Sequence, residues 1–332
     1  MTHPTRRDLF ALPAAALFSS CLSSRPSRGV DAIDDGRAVT FGVGQDLLAR
    51  YHHEPPDPPA GVDAVHARSG YIHPLWTPSG QVVTGDFPAS HRHQHGVFFA
   101  WTRTRFEGRE VDFWNTGAGQ GRVECAAFSQ TGGPVVGQLR ATHHHTDLTA
   151  PGGPKLALVE QWELRVHGQR SPHVLDLVSV QECAGDRPLE VLEYHYGGLA
   201  FRGPEAWEGE AATFLTSERE DRKAGDGSRV RWCAASGPSP ELATLAILCH
   251  PKNLRAPQPV RIHPSNPYFC FSPCRLGAFS IAPGRPLTSR YRLIAMDGPA
   301  DADELDGMWN DYADPVRVRA TEPVSCPRPT VP

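Results

Sequence analysis

Hydrophobic and polar residues alternate with a period of two through most of this chain. Residues 156–166 hold Leu156, Leu158, Trp162, Leu164 and Val166 in step and stop at His167-Gly168. Residues 174–180 follow a Ser-Pro turn, and 189–196 run into Gly197-Gly198. Similar stretches cover 230–233, 244–249 and 287–294. Successive strand residues point to opposite faces, so this period predicts half-buried strands. Turn signals at regular spacing between them predict an antiparallel sandwich. One segment has helical spacing. Asp301 can cap it with Glu304 three residues on, and Leu305, Met308, Trp309 and Tyr312 fall on one face over 301–313. The expected fold is all-β: a large antiparallel β-sandwich, supersandwich-like, with one C-terminal helix.

Composition sharpens this. The chain has 32 Pro and 31 Gly, which favours many turns over long helices. Net charge is −4 with both signs interspersed, and no basic patch carries interleaved aromatics, so nucleic acid is not an expected partner. Arg6-Arg7 before the short apolar run 9–18 reads as a twin-arginine export signal, and Cys21 follows in an imperfect lipoprotein box. The expected organisation is a signal over 1–21, a flexible tether over 22–37, a single sandwich domain over 38–320 and a Pro-rich tail over 321–332. An exported protein is expected, periplasmic or held at the membrane only by lipid on Cys21. Seven cysteines remain after Cys21, and Cys270 and Cys274 are the one close pair. A local disulfide and two packed thiols are both open there. Cys125, Cys233 and Cys249 read as buried thiols.

Four constellations could carry chemistry. His91, His93 and His95 alternate, and an extended segment would put them on one face beside His73. Imidazole ligates metals and titrates near neutrality, so His91 and His93 are candidate ligands for a divalent metal, the one cofactor the sequence leaves open. Glu193 and His195 would share a strand face about 7 Å apart and flank a small ring as base and acid, with His93 as an alternative acid. Tyr194 and Tyr196 would then face the other way. Trp114 could stack on a sugar face, Asn115 could read hydroxyls, and Arg202 could anchor the ligand. His143-His144-His145 reads as solvent-exposed. For each pattern the structural alternative is a polar surface or a plain core position.

At these residues the chain resembles the PmoA-like family of unknown function, labelled methane oxygenase. The motifs are Tyr71-Ile72-His73-Pro74, Thr77-Pro78-Ser79-Gly80, Asp86-Phe87-Pro88, His91 and His93 with Gly96, and Val111-Asp112-Phe113-Trp114-Asn115. Gly197-Gly198-Leu199, Phe201-Arg202, Asn266-Pro267-Tyr268-Phe269 and Tyr291-Arg292 continue the match, which covers residues 45–298. That family's His-Pro-His-His-Arg-Gly run is altered here at Arg92, Gln94 and His95, so His91 and His93 carry over and His95 does not. The resemblance implies an exported protein with a fold similar to galactose mutarotase-like sandwiches. Three functions follow: an enzyme acting on a small carbohydrate by His93, Glu193 and His195 with His73, His91, Trp114, Asn115 and Arg202 binding; a non-catalytic glycan-binding lipoprotein; or a metal-dependent enzyme with His91 and His93 as ligands.

Overall fold

The computed structural model describes residues 29–315. The twin-arginine motif, Cys21, Cys326 and the Pro-rich tail lie outside the described residues. Within them every strand pairing is antiparallel. One nine-stranded sheet runs in spatial order Asp31–Asp34, Ala38–Val43, Asp46–His52, Tyr71–Leu75, Val97–Ala100, Gly198–Arg202, Tyr268–Phe271, Gln258–Ile262, Arg229–Val230. An eight-stranded sheet runs Thr213–Thr216, Trp232–Pro238, Leu242–Cys249, Leu287–Asp297, His173–Cys183, Lys155–His167, Val136–Asp147, Gly121–Thr131. A small sheet joins Phe279–Ile281, Leu189–Val191, Thr104–Phe106 and Arg109–Val111.

The two large sheets face each other across one core. Phe41, Tyr51, Phe99, Phe201 and Phe271 of the first meet Leu139, Trp162, Leu164, Leu177, Leu245 and Leu293 of the second, with Trp101 just past the end of strand Val97–Ala100 in the same core. Central strands of the nine-stranded sheet are buried on both faces. Phe99, Leu199, Phe201, Phe269 and Phe271 point into the sandwich, whereas Phe98, Ala100, Ala200, Tyr268 and Cys270 point away and form a second apolar cluster with Trp114 and Tyr196. That outer aromatic layer becomes the floor of the candidate site. On the far side, helix Ala302–Ala313 covers Val174, Trp232, Ala246, Leu248 and Ile294 of the eight-stranded sheet. Asp301 caps it by accepting from the amides of Asp303 and Glu304.

Several local expectations need correction. The strand expected over 189–196 ends at Val191, and residues 192–197 run as an irregular segment. The stretch 230–233 divides between two sheets. His91 to Gln94 form a turn, so strand alternation does not explain their arrangement. His143 and His145 are buried, not solvated, in strand Val136–Asp147. Their partner is Glu160, itself sealed in the core, which accepts from His145 Nε2 at 2.9 Å, Trp162 Nε1 at 2.8 Å, Ser179 Oγ at 2.5 Å and Gln181 Nε2 at 3.1 Å. Such a carboxylate is tolerated inside because its lone pairs are used. Cys270 and Cys274 are free thiols, as are all six cysteines among the described residues, and Cys125 is half-buried rather than buried.

Candidate functional site

Two irregular segments and one strand end meet over the outer aromatic layer. The turn through His91–Gln94 enters strand Val97–Ala100, and residues 192–197 enter its neighbour Gly198–Arg202. Each entry needs a glycine. Gly96 has φ 38°, and a side chain there would meet the Ile72 carbonyl oxygen at 2.0 Å. Gly198 has φ 119°, and a side chain there would meet the Phe271 carbonyl oxygen at 2.4 Å. These close approaches are the physical content of the Gly96 and Gly197-Gly198 motifs.

Between the segments lies a cleft of about 320 Å³ lined by His91, His93, Gln94, Trp114, Asn115, Tyr194, His195, Tyr196, Arg261, His263 and Tyr268. Its volume suits a small ligand. No carboxylate is in the lining. The imidazoles cluster: the His91 ring lies 5.8 Å from His93 and 5.5 Å from His263, and His66 stands 6.5 Å behind His93. Burial, with help from neighbouring imidazoles, pushes His93 down to about 3 and His263 down to about 4. Burial likewise lowers His91 and His195. The four rings therefore stand neutral at neutral pH. Asn266 Nδ2 donates to His91 Nδ1 at 2.9 Å, and the amides of Ser265 and Asn266 donate to His263 Nδ1. In both rings Nδ1 is the acceptor, so Nε2 carries the hydrogen.

On the opposite wall, the rings of Tyr194, His195 and Tyr196 pack in sequence, the first pair tilted and the second edge-on, with ring centres 4.4 Å and 4.8 Å apart. Burial raises the Tyr196 hydroxyl to about 12. Asn115 Nδ2 donates to that hydroxyl at 3.2 Å and to Asp112 at 2.6 Å. Asp112 also accepts the amides of Trp114 and Asn115, and so shapes the turn that presents them.

Five of the expected residues, His91, His93, Trp114, Asn115 and His195, thus line one cleft. Three do not. Glu193 is exposed and outside the lining, because the chain leaves the strand after Val191 and Glu193 no longer shares a face with His195. Arg202 is sealed from solvent behind the cleft, where Nη2 meets Glu208 at 2.6 Å and Nη1 meets Gln94 at 3.3 Å. Through Gln94 it braces the His91–Gln94 turn. His73 lies outside the lining and pairs with Thr84. Trp114 reaches the cleft edge but is buried among Phe98, Tyr196 and Tyr268, so its faces are already covered. Tyr194 and Tyr196, expected to face away, supply aromatic surface in its place. His95 is wholly buried. Its Nδ1 meets Asp86 at 2.5 Å and its Nε2 donates to the His66 carbonyl at 2.9 Å, so neither nitrogen is left for a ligand. Among the described residues no three His, Cys, Asp or Glu side chains are grouped to hold a metal ion. Gln94, Arg261, His263 and Tyr268 are additions. The Asn266-Pro267-Tyr268-Phe269 motif pointed to that wall without giving roles.

A model for a family of unknown function, DUF6807, matches residues 38–310. This agrees with the unknown-function part of the sequence resemblance and does not extend to the PmoA label. Comparison with curated proteins gives no match. Among solved structures, the chain is similar to heparan sulfate lyase HepC from Pedobacter heparinus at 10% identity and TM-score 0.43, covering 82% of this chain and 37% of that one. It is similar to the GH36 α-galactosidase AgaA from Geobacillus stearothermophilus at 10% identity and TM-score 0.36, covering 81% and 40%. A galactose mutarotase-like protein from Lactobacillus casei is similar at 7% identity and TM-score 0.38, covering 80% of this chain and all of that one. The chain thus spans about two fifths of the two larger enzymes.

Proposed function

We propose that this chain, which belongs to DUF6807, a family of unknown function, binds a sugar or sugar derivative in the central cleft and acts on it by histidine–tyrosine acid–base chemistry. The observation that carries this reading is the convergence of His195, Tyr196 and Asn115 with three further neutral imidazoles on one cavity. His195 is the base. It is exposed at the cleft, and partial burial with the nearby Arg261 and Arg275 guanidiniums lowers its pKa, which keeps it neutral. Tyr196 is the acid. Its raised pKa keeps the proton on; the hydroxyl accepts from the Asn115 amide and is hydrogen-bonded with Tyr194, a contact that a ligand oxygen would replace. His91 and His263 offer Nε2–H donors to ligand hydroxyls, and Asn115, whose two N–H groups are taken by Asp112 and Tyr196, offers its Oδ1 as an acceptor. His93, with its pKa near 3, is too weak a base for proton abstraction and serves as a hydrogen-bonding wall. Glu193 has no part.

Proton NMR of a panel of mono- and oligosaccharides tests this with wild type and His195→Gln. New product signals that vanish with His195→Gln support the reading. Ligand line-broadening without conversion in either protein reduces the site to a glycan binder. Neither effect for any sugar ends it. Export is proposed on Arg6-Arg7 and the apolar run after them, and undiminished export after Arg6→Lys with Arg7→Lys would remove the twin-arginine route.

A further inference from the structure

We infer that the cleft takes an acidic oligosaccharide, with one sugar carboxylate held at Arg261. This rests on the sugar reading above and adds the substrate's charge and length.

The first observation is charge. The central cleft has Arg261 on its wall and no carboxylate. Arg261 shares a single acid with Arg275: their Nη1 atoms lie 2.8 Å and 3.1 Å from the two oxygens of Asp226. Two guanidiniums on one carboxylate leave a net positive charge. Asp226 is further drawn on by the Ile262 amide. The neutral rings around it add donors without charge. A carboxylate entering here meets a planar, half-neutralised guanidinium, the geometry that suits it best. A neutral sugar would leave that charge unused.

The second observation is continuity. The central cleft shares Asn115 and Tyr194 with a lobe of about 290 Å³, and shares Arg261 with a lobe of about 600 Å³. His263 of the centre and Pro264 of the larger lobe are consecutive. Three lobes therefore follow one another along the surface, with the imidazoles in the middle. One sugar ring occupies one lobe, and a chain occupies them in series. Both outer lobes carry mixed charge: Arg103 with Glu110 and Asp112 in the smaller, and Arg222, Lys223 and the shared Arg261 with Glu210, Asp221 and Asp226 in the larger. Only the central lining pairs a cation, Arg261, with no carboxylate of its own, which places the sugar carboxylate beside the reacting groups.

Isothermal titration calorimetry of the full chain tests this with short and long fragments of polygalacturonate, alginate and hyaluronan. The same fragments with their carboxyls reduced to alcohols serve as neutral twins. At least one long acidic fragment should bind, ~10-fold or more tighter than its neutral twin, the size of one charge-assisted hydrogen bond. It should also bind tighter than its short fragment. Arg261→Gln should abolish the preference for the acidic chain, read as the ratio of the acidic to the neutral affinity falling to about one. Asp226 keeps Arg275 in that variant, and a thermal melt verifies folding. Should Arg261→Gln unfold, Arg261→Lys retains charge without the planar fork and should lose part of the preference. Equal binding of acidic and neutral chains, or of long and short fragments, overturns the inference while the sugar reading stands. No binding by any chain overturns both.

Discussion

His93 shows how one imidazole's surroundings set its behaviour. Its ring is half-buried and crowded first by burial, then by His91, His95 and His66, which together push it down to about 3 from an ordinary 6.5. Between those values the unfolded chain binds a proton that the native ring refuses, so stability falls as pH falls, by up to ~1.4 kcal/mol per pH unit for this ring. His93→Gln should therefore lose less melting temperature than wild type between about pH 7 and about pH 5, measured by calorimetry. An equal loss in both would mean the ring is not the titrating group. The nearness of His91 and His93 was readable from their spacing, although a turn and not a strand produces it. The fate of His95 was not, because the Asp86 carboxylate and the His66 carbonyl that claim it come from other segments. The same holds for Glu160. Its place in an alternating strand was visible, but the four donors that make a buried carboxylate tolerable belong to three strands.

At the scale of elements, long periodic strands and the helix were legible, since each buries one face and so carries its period in the sequence. The helix shows this most fully. Leu305 is sealed against the eight-stranded sheet, Met308, Trp309 and Tyr312 are partly covered, and Trp309 Nε1 donates to the Cys249 carbonyl at 2.8 Å. Asp301→Ala removes the acceptor for two amides and should cost ~1 kcal/mol in urea denaturation. Asp301→Ser should restore most of it, and a null effect of Asp301→Ala would show that packing alone holds the first turn. Residues 192–197 failed as a strand for a physical reason. Their alternation is chemical only: no neighbouring strand is available after Val191, and Tyr194, His195 and Tyr196 turn together into the cleft. Short alternating stretches beside glycines read alike whether they pair or not.

For the whole molecule, the two sheets are tied by polar contacts as well as by the core. Tyr51 of strand Asp46–His52 reaches across to His143 of strand Val136–Asp147, with 2.7 Å between oxygen and Nε2. Tyr51→Phe should destabilise by ~1–3 kcal/mol, because it strands a buried ring nitrogen; equilibrium unfolding measures this, and a neutral effect would mean a water replaces the hydroxyl. From the sequence by itself came the all-β class, the single helix with its cap, and four of the five expected side chains that reach the cleft open to its interior, since period, capping and glycine chemistry are local. Only the tertiary structure decided that Glu193 and Arg202 stand apart from the cleft, that Trp114 is covered, and that Arg261 and His263 stand beside His91. Those outcomes depend on which distant strands become neighbours, and pairing across a sheet is fixed by the burial of the whole core, which no short stretch of residues encodes.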